Sequence, residues 1–263
     1  MNAHCIEQKT LISLYLLEEN ENNIAPILKI QNLKKSFGDN HVLNGFSLNL
    51  FEAENLVLMG RSGSGKSVMI KCLVNLMQPD SGSIEIMGKD ITKLNQKEMN
   101  NLRTEIGFLF QGSALYDSMT VRENLEFPLR KFPEYVNKSE ELVLEALESV
   151  GLKSAIDLMP EELSGGMKRR IALARAIILR PKIIIYDEPT TGLDPITAKE
   201  IIQLMKGIQL KFKTSSLIIT HDVDCARVIS DRMILLIDGI NYIEGTFKEL
   251  SNSTDKKVQE FFK

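Results

Sequence analysis

The sequence predicts an α/β fold built around a parallel β-sheet. Three stretches are continuously apolar: NLVLM at 55–59, IIIY at 183–186 and LII at 217–219. Such stretches are typical of strands that are buried on both faces of a parallel sheet. Helical sequence separates the three stretches, and this alternation is typical of the α/β class. With 263 residues and a hydrophobic content of 43%, the chain is long enough to bury such a core.

Two further regions predict antiparallel strands. In FSLNL at 46–50, apolar and polar residues alternate, which predicts a half-buried strand that follows a turn at 38–40. Near the carboxyl terminus, Asp238 and Gly239 separate two β-rich runs within MILLIDGINYIEG at 233–245. An Asp-Gly pair in this position strongly favours a two-residue hairpin turn.

The chain divides into three parts. Residues 1–26 form an N-terminal extension, which is polar and acidic around one short helix candidate, LISLYLL at 11–17. Residues 27–250 form the main domain, in which about 112–168 are rich in helix formers and show no strand pattern. We therefore predict a separate helical subdomain there. Residues 251–263 are predicted to form a C-terminal helix.

Composition limits the partners and the location of the protein. The chain has 32 basic and 35 acidic residues, a balance that gives no reason to expect a nucleic-acid partner. No apolar run approaches the roughly 20 residues that span a bilayer, and the stretch at 11–17 lacks the features of a secretion signal. Cys5, Cys72 and Cys225 are widely spaced, so we expect reduced cytosolic thiols.

A glycine-rich loop follows the first buried strand. GRSGSGKS at 60–67 fits the pattern G-x-x-x-x-G-K-[ST], whose backbone amides surround a phosphate at the start of a helix. In this pattern Lys66 bridges the β- and γ-phosphates and the Ser67 hydroxyl binds magnesium. A purely structural turn needs neither side chain in these positions. The predicted nucleotide-binding residues of the loop are Gly60, Arg61, Ser62, Gly63, Ser64, Gly65, Lys66 and Ser67.

An acidic pair follows the second buried strand. Asp187 and Glu188 come directly after IIIY, which places them at the carboxyl end of the sheet, where ligands bind in α/β folds. We predict Asp187 as a magnesium ligand and Glu188 as the general base for an attacking water. The alternative is a solvated strand end, and the four apolar residues before the pair disfavour it.

With both elements placed, residues 27–250 resemble the nucleotide-binding subunits of ABC transporters. FLFQGSALYDSMTV at 108–121 resembles the glutamine loop, LSGGM at 163–167 the signature, GLD at 192–194 the D-loop and LIITHD at 217–222 the switch-histidine segment. The resemblance implies a P-loop NTPase with a RecA-like core, an antiparallel β subdomain and an inserted α-helical subdomain. It also implies ATP and Mg²⁺ as cofactors.

The resemblance assigns four further side chains. Gln111 would sense the magnesium ion and the attacking water, and it therefore counts as a catalytic and metal-site residue. His221 would contact the γ-phosphate, and Asp194 of the D-loop would belong to the nucleotide site. Phe37 stands where the family stacks an aromatic ring on adenine, although the same residue is also suited to pack inside the hairpin.

The signature segment implies a second copy of the chain. In this family the signature of one subunit faces the phosphate loop of another, so Ser164, Gly165 and Gly166 would close on a γ-phosphate bound by the partner. A helix N-terminus with a serine cap binds an anion through backbone dipoles and hydrogen bonds. A bare helix cap would explain Ser164 but not the paired glycines.

Two longer phrases narrow the resemblance. Met167 stands where the signature usually has Gln, within ELSGGMKRRIALARAIILRPKIIIYDEPTTGLDPIT. That phrase and LFQGSALYDSMTVRENLEFPLR at 109–130 resemble the ATPases of MCE-type phospholipid transporters, which maintain lipid asymmetry. The resemblance implies membrane permease subunits, a periplasmic MCE lipid-binding protein and, in some systems, a STAS-domain protein. It places the chain on the cytoplasmic face of the inner membrane.

Other functions remain open at this point. One is a soluble ABC-type ATPase, for example in iron–sulfur assembly. Another is the ATPase of a transporter for lipoproteins, amino acids or a different solute. The ATPase itself contains no pocket for the transported molecule, so the choice of cargo rests on resemblance alone.

Overall fold

A computed structural model describes residues 25–262 of the chain. These residues form two β-sheets and nine helices. Most of the predicted N-terminal extension, including its short helix candidate and Cys5, lies outside the described residues. Cys72 and Cys225 are free thiols, and both are buried.

The smaller sheet is antiparallel and has four strands in the order β2-β1-β4-β5. These strands are β1 (Leu28–Phe37), β2 (Asn40–Leu50), β4 (Ser81–Ile86) and β5 (Lys89–Asp90). The alternation predicted in β2 is present, because Phe46, Leu48 and Leu50 are buried while Asn49 is exposed.

The larger sheet has six strands in the order β10-β9-β3-β8-β7-β6. These strands are β3 (Asn55–Met59), β6 (Ile106–Leu109), β7 (Ile183–Asp187), β8 (Ser215–Thr220), β9 (Arg232–Ile237) and β10 (Ile240–Gly245). All neighbouring pairs are parallel except β9 and β10, which form an antiparallel hairpin through Asp238 and Gly239. The predicted α/β class and the predicted hairpin are both confirmed.

Both faces of the larger sheet are covered. Successive residues of β3 alternate between two hydrophobic cores: Val57 and Met59 belong to one, and Leu56 and Leu58 to the other. The first core contains most of the helices, and the second contains the antiparallel sheet. Because neither face meets water, the middle of β3, β7 and β8 is continuously apolar, and their polar residues stand at the strand ends.

Nine helices complete the described part of the chain. They are α1 (Lys66–Leu73), α2 (Gln96–Thr104), α3 (Val121–Glu126), α4 (Ser139–Ser149), α5 (Gly165–Ile177), α6 (Pro195–Phe212), α7 (Val223–Ile229), α8 (Phe247–Ser251) and α9 (Lys256–Gln259). Short 3₁₀ turns lie between α3 and α5, and no strand interrupts residues 112–168. None of these helices is both long enough and apolar enough to cross a membrane.

The C-terminal helix is shorter than the predicted 251–263. Helix α8 ends at Ser251, and Asp255 starts α9 by accepting hydrogen bonds from the amides of Lys257 and Val258. Two separate caps divide this stretch because each side-chain cap begins a new helix. Val258 is buried, and the ring of Phe262 meets Phe247 edge-on at 5.5 Å between centroids.

Candidate functional site

The glycine-rich loop connects β3 to α1. Gly65 has a φ of +106°, and a Cβ there would lie 2.9 Å from the carbonyl oxygen of Val42, so only glycine fits. No side chain caps the N-terminus of α1, and its first turn contains no acidic residue. The hydroxyl of Ser64 is buried and has no hydrogen-bond partner within residues 25–262. The loop therefore presents polar groups and a positive helix end that suit an anion.

Lys66 lies inside this loop. Its ammonium donates hydrogen bonds to the carbonyl oxygens of Gly60 at 2.5 Å and Arg61 at 3.0 Å. Burial lowers the pKa of Lys66, and the negative charges of Glu188 and Asp187 act in the opposite direction. One cation of the loop is thus placed close to both carboxylates of the predicted acidic pair.

The acidic pair ends β7. Glu188 has a φ of +50°, a left-handed conformation that is strained for a residue with a side chain. Its amide donates to the carbonyl oxygen of Ile219 in β8 at 2.8 Å, which holds the strained turn in place. This turn directs the carboxylate of Glu188 inward, where only 8% of the residue is exposed.

Three residues surround one carboxylate oxygen of Glu188. Its Oε2 lies 2.9 Å from Nδ1 of His221 and accepts from the hydroxyls of Thr191 at 3.2 Å and Thr220 at 3.4 Å. The structure therefore brings together the predicted base and the predicted switch histidine. The threonines were not predicted, although Thr220 directly precedes His221 in the sequence.

Asp187 and Ser67 line one cavity of about 410 Å³. Burial and the nearby charge of Glu188 raise the pKa of Asp187, while Lys66 lowers it. Two carboxylates therefore share a site with one lysine, and a further cation would offset their repulsion. A carboxylate and a hydroxyl are oxygen ligands of the kind that Mg²⁺ prefers. The residues present fit a magnesium ion.

Gln111 follows β6 by two residues and is exposed. The residue before it, Phe110, lines the same cavity as Asp187 and Ser67. The carbonyl oxygen of Phe110 accepts a hydrogen bond from the guanidinium of Arg169 at 2.8 Å. The loop of Gln111 is thus anchored beside the cavity by a side chain that the sequence did not single out.

The signature segment starts α5. Ser164 caps the helix, and its hydroxyl accepts from the amide of Met167 at 3.2 Å. A Cβ at Gly166 would lie 2.7 Å from the side chain of Thr197, whereas nothing lies within 4 Å of a Cβ built at Gly165. Packing of α5 against α6 therefore requires the second glycine. Ser164 and Gly165 are exposed.

Asp194 starts α6 by a similar cap. Its carboxylate accepts hydrogen bonds from the amides of Ile196 at 3.0 Å and Thr197 at 3.1 Å, and from the Thr197 hydroxyl. These bonds lower the pKa of Asp194. Neither cavity lined by phosphate-loop residues contains Ser164, Gly165 or Asp194. Within residues 25–262, no hydrogen bond joins these three residues to the phosphate loop of their own chain.

Phe37 ends β1 and is 47% exposed, so it does not pack inside the hairpin. The ammonium of Lys35 lies 5.8 Å from the centre of its ring. The turn that follows Phe37 leads to Val42, which lines a second cavity of about 650 Å³ together with Ser62 and Gly63 of the phosphate loop. An exposed ring at the end of β1 is suited to stack on a flat, apolar group.

The fold and the site define a P-loop ATPase. Comparison with known proteins then gives the family: the ABC transporter family matches residues 43–191, more than half of the chain. The chain belongs to this family. It is the ATP-hydrolysing motor subunit of a transporter and uses ATP with Mg²⁺.

Individual relatives differ in the molecule that their names give as cargo. The intermembrane phospholipid transport system ATP-binding protein MlaF of Haemophilus influenzae is 37% identical over 240 residues, which cover 90% of each chain. The methionine import ATP-binding protein MetN of Brucella abortus (strain 2308) is 39% identical over 223 residues, which cover 84% of this chain and 60% of MetN.

A solved structure shows the same fold. The dimeric post-hydrolysis structure of the ATP-binding cassette MJ0796, bound to ADP and Pi, superposes with a TM-score of 0.75 and is 32% identical. The match covers 84% of this chain and 99% of MJ0796.

Proposed function

We propose that the phosphate loop and the acidic pair perform ATP hydrolysis in the following way. The loop amides and Lys66 bind the β- and γ-phosphates, and Glu188 accepts a proton from the attacking water. Ser67, Asp187 and Gln111 would hold Mg²⁺, which would neutralise charge on the phosphate oxygens. His221 orients Glu188 and meets the γ-phosphate. The contact of 2.9 Å between His221 and Glu188 supports a shared role for the two residues.

Two copies of the chain complete each nucleotide site in this proposal. Ser164, Gly165 and Gly166 of one copy close on the γ-phosphate held by the phosphate loop of the other, and Asp194 stands near the same interface. Two observations support it: Ser164 and Gly165 are exposed and line neither phosphate-loop cavity of their own chain, and MJ0796 is dimeric with ADP and Pi. Phe37 stacks on adenine.

Hydrolysis changes the contact between the two copies. ATP stabilises the closed pair because its γ-phosphate contacts both chains, and loss of the γ-phosphate removes that contact. A permease receives this motion at the boundary between the helical subdomain and the core. Phe127, Pro128 and Leu179 line two adjoining cavities there, of about 430 and 700 Å³, which supports such a docking groove.

The cargo that we propose is phospholipid, moved between the inner and outer membranes. The observation that carries this proposal is the match to MlaF over 90% of each chain. Met167, which stands where the signature usually has Gln, also supports it. The partners are then permease subunits, a periplasmic MCE lipid-binding protein and a STAS-domain protein. The chain would lie on the cytoplasmic face of the inner membrane.

Amino-acid import is the second candidate. MetN of Brucella abortus is 39% identical, so identity alone does not favour phospholipid. The helices and strands described above serve either cargo equally well, because the motor does not touch the transported molecule.

A transport measurement separates the two candidates. The tagged chain is purified from membranes together with its bound partners and reconstituted into liposomes that contain a fluorescent phospholipid. We expect ATP-dependent phospholipid movement, and its loss when the complex carries Glu188→Gln. ATP-dependent accumulation of methionine without phospholipid movement would contradict the proposed cargo and favour amino-acid import.

A further inference from the structure

Arg169 is a buried cation without a carboxylate partner among the described residues. It is 4% exposed, and none of the ion pairs within residues 25–262 includes it. The next residue, Arg170, pairs with Glu200 at 2.6 Å on the surface. Burying an unpaired charge costs several kcal/mol, on the order of the penalty for one ion in a protein interior. Burial accordingly lowers the pKa of Arg169. Its position therefore calls for an explanation beyond helix packing.

The guanidinium of Arg169 connects two loops that are distant in sequence. Nη1 donates to the carbonyl oxygen of Phe110 at 2.8 Å, and Nη2 donates to the carbonyl oxygen of Thr191 at 3.3 Å. Hydrogen bonds from a charged donor are stronger than neutral ones, and they offset part of the desolvation. The planar fork of arginine reaches both acceptors at once, which a single ammonium does not.

Each of these loops carries a group that we assign to hydrolysis. Phe110 directly precedes Gln111. Thr191 donates through its hydroxyl to Oε2 of Glu188 at 3.2 Å, and it directly precedes the GLD segment that ends in Asp194. The side chain of Arg169 therefore connects the loop of Gln111 to the loop whose Thr191 contacts Glu188.

The backbone of Arg169 belongs to α5, which begins at the signature segment. Ser164 caps this helix only five positions before Arg169. A rigid helix transmits a displacement of its first turn to its second turn. A shift of the signature segment thus reaches the loops of Gln111 and Thr191 through the guanidinium.

We propose that Arg169 is a positioning residue that links the signature helix of one chain to the catalytic loops of that same chain. When Ser164 closes on the partner's nucleotide, Arg169 sets the distance between Gln111 and Glu188. This inference rests on the function proposed above, because it uses the roles assigned there to Gln111, Glu188 and Ser164. Arg169 itself contacts no reacting atom.

The test compares Arg169→Met with Arg180→Met in the full chain purified with its partners. Arg180 is the control, since it is an arginine shortly after the same helix whose guanidinium pairs with Glu145 at 2.6 Å and donates to neither catalytic loop. For Arg169→Met we expect kcat to fall about 10- to 100-fold, the cost of slightly misplaced catalytic groups, with KM for ATP within about twofold. Arg180→Met should retain the wild-type kcat.

Arg169→Lys distinguishes positioning from general support. Lysine keeps the charge but reaches one carbonyl, so we expect a kcat between those of the wild type and Arg169→Met. If Arg169→Met does not fold, Arg169→Lys alone decides the question. A wild-type kcat in the folded variant, or an equal loss in Arg180→Met, would overturn the inference.

Glu188→Gln separates failure of this inference from failure of the proposed function. If Glu188→Gln is inactive while Arg169→Met hydrolyses ATP like the wild type, only the linking role of Arg169 is wrong. If Glu188→Gln hydrolyses ATP normally, the assigned mechanism itself is wrong, and the inference fails with it.

Discussion

Two helix N-termini of this chain share an anion-binding geometry but differ in what surrounds them. Helix α1 follows the phosphate loop, has no side-chain cap and begins at Lys66, whose ammonium is close to Asp187 and Glu188. Helix α5 follows the signature serine, which caps it, and Ser164 and Gly165 are exposed. Neither first turn contains an acidic residue.

This difference separates chemistry from recognition. The phosphate-loop side has the cation Lys66 and two carboxylates, Asp187 and the strained Glu188. The signature side offers backbone amides and the Ser164 hydroxyl. Amides and hydroxyls bind phosphate well but do not take a proton from water at neutral pH. In the proposed mechanism, the signature side therefore recognises the γ-phosphate, and the phosphate-loop side hydrolyses it.

The largest effect is expected at the phosphate loop. Lys66→Ala removes the cation that faces both carboxylates and should reduce ATP hydrolysis by at least about 100-fold. Lys248→Ala is the control, because Lys248 is an exposed lysine of α8 that lines neither phosphate-loop cavity. Phosphate release assays on both variants measure the effect. Comparable rates for the two variants would show that the position of Lys66 has no special role.

The signature side is tested by Ser164→Asp. Aspartate caps a helix about as well as serine, so the melting temperature should stay within about 1 °C of the wild type. Its charge would face the partner's triphosphate, and hydrolysis should fall at least about tenfold. Calorimetry and an ATPase assay measure the two quantities separately. Full activity in the aspartate variant would remove Ser164 from the nucleotide site.

A smaller effect is expected at Phe37. Phe37→Ala loses the proposed stack on adenine, worth roughly 1 kcal/mol, so KM for ATP should rise about fivefold while kcat stays unchanged. Phe37→Tyr keeps the ring and should behave like the wild type. Steady-state kinetics over a range of ATP concentrations checks both. An unchanged KM in the alanine variant would mean that this ring does not meet the base.

The smallest effect is expected at Asp80, which binds two residues of β1 just before Phe37. Asp80 accepts from the ammonium of Lys35 at 2.8 Å and from the amide of Ser36 at 2.6 Å, and both bonds lower its pKa. A carboxyl whose pKa is lower in the folded state stabilises the fold above its unfolded pKa of about 3.9, and the stability is lost as pH falls through the folded value.

Asp80→Asn should therefore lower the melting temperature at pH 7 by on the order of 2 °C. The difference from the wild type should shrink as the pH falls below about 4. Protonation of Asp80 then removes from the wild type the same negative charge that the asparagine variant lacks at every pH. Thermal unfolding at several pH values checks this. A difference that stays constant with pH would show that the carboxylate charge is not the cause.

Local patterns predicted much of the fold. Continuous apolar stretches located β3, β7 and β8, alternation located β2, and Asp238-Gly239 located the final hairpin. Each of these features depends on residues that are adjacent in the sequence, so it can be predicted from a short stretch of the chain. The subdivision of the C-terminal stretch was missed because the caps at Thr246 and Asp255 compete with a continuous helical pattern.

The contacts around the catalytic residues could not be predicted from the sequence in this way. Arg169 and Phe110 are 59 positions apart, and the contacts of Glu188 with Thr191 and Thr220 depend on how β7 and β8 pair. The left-handed conformation of Glu188 is also a tertiary effect, because its amide bonds to β8. No local pattern encodes such contacts. The sequence shows which residue types stand in which motif, and the fold supplies their neighbours.

The central claim is that two chains must share each nucleotide, and the mass of Glu188→Gln with ATP tests it most directly. This variant should bind ATP without hydrolysing it, so light scattering should show twice the chain mass of 29.7 kDa with ATP and the mass of a single chain without it. Adding Ser164→Asp should return the ATP-bound sample to a single chain. A Glu188→Gln protein that stays single at saturating ATP would contradict the account.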